Sequence, residues 1–397
     1  MRQTILVVGA GIYQVPVITT AKAMGHRVIA VDRDVRAPGL LLADVARGVD
    51  VTDITGCISV AREYKVNGVV SICLEAAVET VAAVAAELNL PGISLEAALS
   101  ATDKYVMREK FAAAGVAGPT FRRAWTMDEA WTAAREIGYP LVVKPVDNAG
   151  SRGVRRVDNE AALLPAFDLA LSHSRKRCMI LEEFMDGVEV TVESLTLGEE
   201  TEVLAISDKV HIPFPVCVSI CLTYPPALPL ERQEQIKQLV KRSIRALGID
   251  NGPTHAEAMV TPQGVKMVEI AARGGGYRIF SDIIPIVSGV NIVQETIKIA
   301  LGERPDIKPK YTRAAVLRFF NPNVNGALVK VHGLELAKAV DGIIDVVMEV
   351  KPGHKMAPIT ADGERPGYLI AYGETRSIAV QRADMAEEKV HFELITN

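Results

Sequence analysis

HAEAMVTPQGVKMVEIAARGGG, residues 255–276, reads as a hairpin that carries chemistry. TPQG is a turn, with Pro262 favoured at its second position and Gly264 at its fourth. A three-residue loop with Gly264 left-handed pairs Thr261 with Val265. Counting back from there, Glu257 lies opposite Glu269 on one face, with Cβ atoms roughly 5 Å apart. Two carboxylates that close repel, unless a cation lies between them or one is protonated. Oxygen ligands on rigid strands suit Mg²⁺, usually completed by substrate phosphates. A register slipped by one residue instead leaves one glutamate in solvent and dissolves the pair. Arg273 follows at the mouth of RGGGYR, where a guanidinium can clamp a carboxylate or an acyl phosphate.

Two stretches upstream bear on the same chemistry. YPLVVKPVDNAGSRGVRRV (139–157) puts Lys144 at the end of an apolar strand, before a segment with Gly150, Ser151 and Gly153. Lysine is a compact charge suited to phosphate oxygens, and glycines let backbone N–H groups form an anion nest. No G-x-x-x-x-G-K-[ST] occurs anywhere, so this is not a Walker A loop. By itself a lysine beside a Gly-rich loop is more often a surface hairpin. MILEEFMDGVEVTVES (179–194) places Glu182 and Glu183 in a strand and Glu189 after a turn at Asp186–Gly187. An adenine needs a hinge with polar backbone, and a ribose needs a carboxylate at a modest offset; alone, the stretch is a solvated hairpin.

The beginning of the chain offers a rival. VVGAGIYQVP (7–16) has Gly9 and Gly11 of a dinucleotide-binding turn, but Gln14 stands where the third glycine belongs. Asp32 falls about where a ribose-binding acid would. The stretch reads as a tight strand-to-helix turn whose N–H groups can hold a carboxylate or phosphate. A NAD-dependent oxidoreductase built on this domain is the competing reading.

Length and composition set the frame. At 397 residues, 49% of them hydrophobic, the chain has room for two or three domains with large cores. A net charge of −4 gives no reason to expect nucleic acid. Five cysteines without a CxxC argue against a disulfide framework and for reduced thiols in the cytoplasm. No signal-type segment and no run of about 18 apolar residues is present, so no membrane is expected. TILVVGAG, RVIAVDRD and GVVSIC alternate with helical stretches, the pattern of a parallel sheet covered on both faces. From about residue 103 strands come in runs, at 141–146, 178–184, 189–197, 202–210, 254–260 and 265–271, an α+β arrangement with antiparallel pairs. GERPDIKPK (302–310) is a connector, and AAVLRFF, DVVMEV, GYLIAYG and VHFELI suggest a small closing domain.

The order and spacing of these pieces resemble an ATP-grasp carboxylate–amine ligase, in the carbamoyl-phosphate-synthase-like, PurK-like and L-amino-acid-ligase branch. GAGIYQVPVITTAKAMGHRVIAVDRD, DKYVMREKFAAAGVAGP, YPLVVKP, LEEFMDGVEVTVES, HAEAMV, VEIAARGGG and GYLIAYGETRSIAV carry the resemblance. It implies an α/β and α+β multidomain fold. A Rossmann-like domain would span 1–100. An ATP-grasp domain would follow over 101–305, with a linker helix at 101–120, a lid subdomain at 121–185 and a core subdomain at 186–305. A C-terminal α+β closing domain would take 306–397.

The resemblance also implies roles. Lys104 matches the first nucleotide lysine and Lys144 a phosphate-contacting one; 147–153, with Gly150, Ser151 and Gly153, matches the mobile phosphate-covering loop. Glu182, Glu183 and Phe184 match the adenine hinge, Glu189 the ribose acid, Glu257 and Glu269 the Mg²⁺ carboxylates. Arg273 matches the arginine that steadies an acyl phosphate. Glu75, Gly11, Lys209, Gly275 and Arg278 are candidate substrate contacts. The family often has Asn two residues after the second metal glutamate; here that position is Ala271.

The implied reaction uses ATP and Mg²⁺ (or Mn²⁺) to activate a carboxylate as an acyl phosphate, which an amine then converts to an amide. Amino-acid-like substrates are expected, and relatives of this kind are commonly homodimers. His211, His255 and His354 can assist the amine or be structural. The segment 209–226, KVHIPFPVCVSICLTYPP, is expected to line a partly hydrophobic pocket or to pack upon itself. The same core also serves bicarbonate activation, as in carboxylases and carbamoyl phosphate synthases, and a non-catalytic nucleotide-binding protein remains a third class.

Overall fold

The computed structural model describes residues 2–395. Its first sheet is parallel, with strands in the order Val45–Arg47, Arg27–Val31, Thr4–Val8, Gly68–Val70. Leu6 pairs with Ile29 on one side and Val69 on the other. Strands buried on both faces need apolar side chains in both directions, which is why these runs do not alternate. Helices Val15–Ala23, Ile54–Glu63 and Val78–Leu88 follow strands in the expected order.

The second sheet is antiparallel, ordered Phe121–Ala124, Met179–Glu183, Leu141–Pro145, Arg155–Val157. Helices Met127–Ile137 and Leu163–Ser172 pack against it through Ala130, Ala134, Leu163 and Phe167. A capping box between Thr126 and Glu129 starts the first of these helices.

The third sheet has eight strands, in the order Gly264–Ala271, Asn251–Thr261, Val188–Leu197, Glu200–His211, Ser219–Tyr224, Ala314–Phe319, Gly367–Gly373, Ile343–Met348. Helix Leu230–Leu247 covers it with Ile236, Leu239, Val240 and Ile244. The mixed α/β fold is as expected, with two differences in detail. Ser219–Tyr224, inside the segment read as a pocket loop, is a ladder strand: Leu222 pairs with Leu317 and Val210 with Cys221. The C-terminal segment therefore has no separate main sheet. Its strand Ala314–Phe319, almost wholly buried, continues the ladder from Ser219–Tyr224, because an open apolar edge there would be left unpaired. A small sheet, Lys355–Met356, Gly326–His332, His391–Ile395, lies beyond.

No single helix among the described residues is long and apolar enough to cross a membrane. The bent pair Ile279–Ser288 and Ile292–Ala300 is apolar, but Ile283, Ile284, Ile292 and Ile297 are buried in the core.

Candidate active site

The hairpin reaches the expected pairing by an unexpected route. Its turn is one residue shorter: Thr261 pairs with Gly264 and Val260 with Val265. That register alone would set Glu257 against Val268. A bulge between Ala258 and Glu257 absorbs one residue, so Glu257 pairs with Glu269 after all. Met267 and Ile270 point into the core, while Val268 and Glu269 line a cavity. The bulge is held from outside, because Arg108 donates to the Val268 carbonyl and Met267 N–H to Ala117 O.

That cavity, of about 320 Å³, lies between the second and third sheets. Lys104, Lys144, Gly150, Ser151, Glu182, Glu183, Phe184, Glu189, Glu257 and Glu269 all line it. Lys144 Nζ lies 2.7 Å from Glu182 Oε2, and Arg108 Nε donates to Glu182 Oε1 at 2.7 Å. All three side chains are buried. Burial works against the Glu182 carboxylate, but Arg108 and Lys144 outweigh it and hold its pKa below the usual range. The Glu182 side chain is thus the centre of a buried ion triad. The Phe184 N–H already donates to Pro140 O and that of Glu183 to Thr120 O. The Arg156 guanidinium lies 4.2 Å from the Phe184 ring centre and 4.9 Å from that of Phe214, and the two rings meet edge to face at this end.

Along the floor, lysines and carboxylates alternate. Lys209 bridges Glu189, at 2.7 Å, and Glu257. His211 Nε2 approaches the other Glu189 oxygen at 3.1 Å. Lys104 lies 3.2 Å from Glu269 and donates to Asn148 O at 2.7 Å. Burial would raise Glu257, yet the Lys209 ammonium pulls its carboxyl down to about 2. Glu269 is likewise lowered against its burial, by Lys104. Both acids are therefore held ionised, each in an ion pair with a lysine at the cavity floor. Among the described residues no group of three or more His, Cys, Asp or Glu side chains forms a metal cage. Two facing carboxylates with no cage fit Mg²⁺, which takes one or two protein carboxylates and completes its shell with phosphate oxygens and water. Ala271 adds no third oxygen.

The segment 147–153 arches over this floor. Gly150 (φ +71°), Ser151 (φ +58°) and Gly153 (φ +78°) are left-handed. A Cβ on Gly153 would meet the Ala170 Cα at 3.3 Å, so glycine is needed there twice over. Asp147 anchors the arch by accepting from Ser174 Oγ and Lys176 N–H, each at 2.8 Å.

A second cavity, of about 380 Å³, opens beyond the arch and shares Gly150, Ser151, Lys209, Glu257, Glu269 and Asp362 with the first. Arg273 lines it, with Nε donating to Glu75 Oε2 at 2.9 Å, and Glu75 comes from the end of the first sheet. Tyr277 and Phe319 form an aromatic side, rings 4.8 Å apart edge to face. His255 also lines it, bound through Nδ1 to the buried Glu193. Burial opposes the imidazolium, but Glu193 wins and raises its pKa to about 9.

Of the candidate substrate contacts, Glu75 and Lys209 line this cavity and three do not. Gly11 lines neither cavity; Cys73 and Glu75, past the neighbouring strand, are the first-sheet residues that reach it. Gly275 lies behind the wall, its N–H donating to Glu193 Oε2 at 3.3 Å. Arg278 is tied to Asp282 and Asp345 and braces the sheet. His354 lines neither cavity.

The dinucleotide reading fails at the turn itself. Gln14, buried, bonds both the Ile72 N–H and its carbonyl, filling the space a third glycine would leave. Asp32, the would-be ribose acid, turns back to accept from Ala10 N–H at 2.9 Å and Asp34 N–H at 3.0 Å. One amide of the turn, that of Ala10, is thus taken by the chain's own carboxylate.

Sequence reasoning missed Arg108, Asp362 and Arg365. Arg108 lies four residues after Lys104 on one helix face, a spacing that could have flagged it. No local pattern announces Asp362 and Arg365, which the fold brings from a loop more than 200 residues beyond the arch.

Two family models match: the ATP-grasp domain over residues 137–281 and the L-amino acid ligase C-terminal domain 2 over residues 318–394. The uncharacterized protein y4rH of Sinorhizobium fredii is 31% identical over 382 residues, 93% of this chain and 76% of that protein. Dapdiamide A synthase of Enterobacter agglomerans is 26% identical over 70% of this chain and 68% of its own. The L-amino acid ligase of Bacillus licheniformis shares the fold, with a TM-score of 0.85 at 23% identity, covering 100% of this chain and 99% of that one. Fold and matches together define a class of enzyme that uses ATP and Mg²⁺ to form carbon–nitrogen bonds, releasing ADP. The chain belongs to the ATP-grasp carboxylate–amine ligase superfamily.

Proposed function

We propose that the chain activates the carboxylate of one amino-acid-like substrate as an acyl phosphate and joins it to the amine of another. The observation that carries this reading is the shared wall of the two cavities. Gly150, Ser151, Glu257 and Glu269 face both, so a phosphate held over the carboxylate pair is open to the second cavity, where Arg273 lies. In this reading Lys104, Lys144 and the 147–153 arch hold the triphosphate. Phe184 and the backbone beside it receive the base, and Glu189 receives the ribose. Glu257 and Glu269 would hold Mg²⁺, which when bound neutralises phosphate charge. Arg273, fixed by Glu75, steadies the acyl phosphate, and closure of the arch keeps water from hydrolysing it. Most of the catalytic effect is then positioning and charge neutralisation rather than covalent chemistry.

The test is ADP release over amino acids, singly and in pairs, with Mg²⁺, and a product mass. Pair-dependent ADP release with the mass of an amide supports the reading; bicarbonate-dependent release without an amide overturns it. The same reading puts the enzyme in the cytoplasm, in keeping with five free cysteines, and expects a homodimer, measurable by light scattering.

A further inference from the structure

We propose that Asp362 receives the attacking amine, holding its ammonium at the border of the two cavities and taking one of its protons as the amide forms. This rests on the ligase reading above and adds the residue that readies the nucleophile.

Four carboxylates line the second cavity: Glu75, Glu257, Glu269 and Asp362. Glu75 is committed to Arg273, while Glu257 and Glu269 form the pair suited to a cation. His255, the histidine on this wall, is committed to Glu193. Asp362 is the fourth: it is paired through Oδ1 with Arg365 on its own loop, and it lines both cavities. Its position is fixed from three sides. Its N–H donates to Gly150 O at 3.3 Å, its carbonyl accepts from Tyr277 Oη at 2.8 Å, and Arg365 holds Oδ1 at 2.6 Å. Arg365 is itself buried, stacked on Phe319 at 3.8 Å and donating to Ser219 Oγ at 3.2 Å. The carboxylate is therefore set beside the 147–153 arch.

The groups facing Asp362 are Arg365 on its own loop, Lys209 and Glu257 from the large sheet, and Ser151 from the arch. Burial pushes its carboxyl above the ordinary range, and Arg365 and Lys209 only partly offset this. Such a carboxyl takes up a proton more readily than a solvated aspartate. In the step proposed, the ammonium gives one proton to the Asp362 carboxylate. The freed lone pair forms the C–N bond at the acyl carbon, and the C–O bond to phosphate breaks, phosphate leaving with the electron pair. The second nitrogen proton goes to the departing phosphate.

The test compares two nucleophiles, an α-amino acid, which arrives as an ammonium, and hydroxylamine, which is largely unprotonated at neutral pH. Asp362→Asn should lower amide formation about 10²-fold or more relative to hydroxamate formation, with the ratio restored by Asp362→Glu. The wild-type amide rate should also show an ionisation that the Asn variant lacks. Should Asn at 362 not fold, Asp362→Ser is judged by the same ratio. Equal loss of both products, or loss of neither, overturns the proposal. Wild-type enzyme that forms neither ADP nor hydroxamate from any acid overturns the ligase reading as well, and so separates the two failures.

Discussion

Glu257 and Glu269 face each other because a bulge at Val268 restores what a short turn takes away. The two acids are therefore held by two local features that must agree, and Arg108 holds the bulge by bonding the Val268 carbonyl. Lys209 and Lys104 keep both acids ionised.

The first prediction follows from that arrangement. Glu257→Gln and Glu269→Gln should each lower Mg²⁺-dependent ADP release about 10²-fold or more. Each should also raise the Mg²⁺ concentration at half-saturation. Initial rates over a Mg²⁺ series check it, and unchanged half-saturation in both variants would remove the pair from metal binding.

Glu182 is expected to matter for stability without touching substrate through its carboxylate. Glu182→Gln leaves Lys144 and Arg108 buried with no negative partner. Removing one member of a buried ion cluster costs about 3–5 kcal/mol. Urea unfolding of the nucleotide-free protein should show that loss, and the KM for ATP should rise because Lys144 is no longer fixed. A variant as stable as the wild type contradicts this account.

The plug in the first sheet gives a third. Gln14→Ala strips partners from both the N–H and the carbonyl of Ile72. Leaving buried polar groups unpaired costs about 1–3 kcal/mol each, so the melting temperature should fall by several degrees. Removing the plug should not create NADH binding, since Asp32 still occupies the turn's amide. Fluorescence titration with NADH is the check.

His255 makes stability depend on pH. Its folded pKa, about 9, lies above the ordinary histidine value. The unfolded state therefore binds fewer protons than the folded state between roughly pH 6.5 and 9, and stability falls as pH rises through that window. At pH 6 the contribution is fully present, amounting to a few kcal/mol. The stability difference between wild type and His255→Gln should shrink from pH 6 to pH 9.5, measured by urea midpoints without nucleotide or divalent cation. A constant difference would mean that the Glu193 partner does not hold the imidazolium.

The fold was legible where one strand's neighbours sit nearby in sequence. The apolar strands ending at Val8, Val31 and Val70 alternate with helices, and that order alone dictates a parallel sheet. The facing acids were legible because a hairpin is local, although the true turn and its bulge compensate for each other in a way no pattern of residues announces. Ser219–Tyr224 was not legible: Pro215 and Pro225 flank it as they would a loop, and its partners lie almost a hundred residues on, at Ala315–Arg318. Asp362 was illegible for the same reason, since its contact with Gly150 joins the 147–153 arch to a loop more than 200 residues further on. Glu182 looked like a hinge acid because sequence shows its neighbours but not the Arg108 and Lys144 side chains that close upon it.

The eight-stranded ladder also governs how this enzyme can be recombined with its relatives. Because Ser219–Tyr224 pairs on one edge with Glu200–His211 and on the other with Ala314–Phe319, a cut at the connector 302–310 divides a continuous backbone lattice. A chimera that exchanges only the part beyond that connector must reproduce the register of Leu222 with Leu317, or the transplanted loop carrying Asp362 will arrive displaced from Gly150. Segments exchanged from Ser219 onward would carry both sides of that seam together.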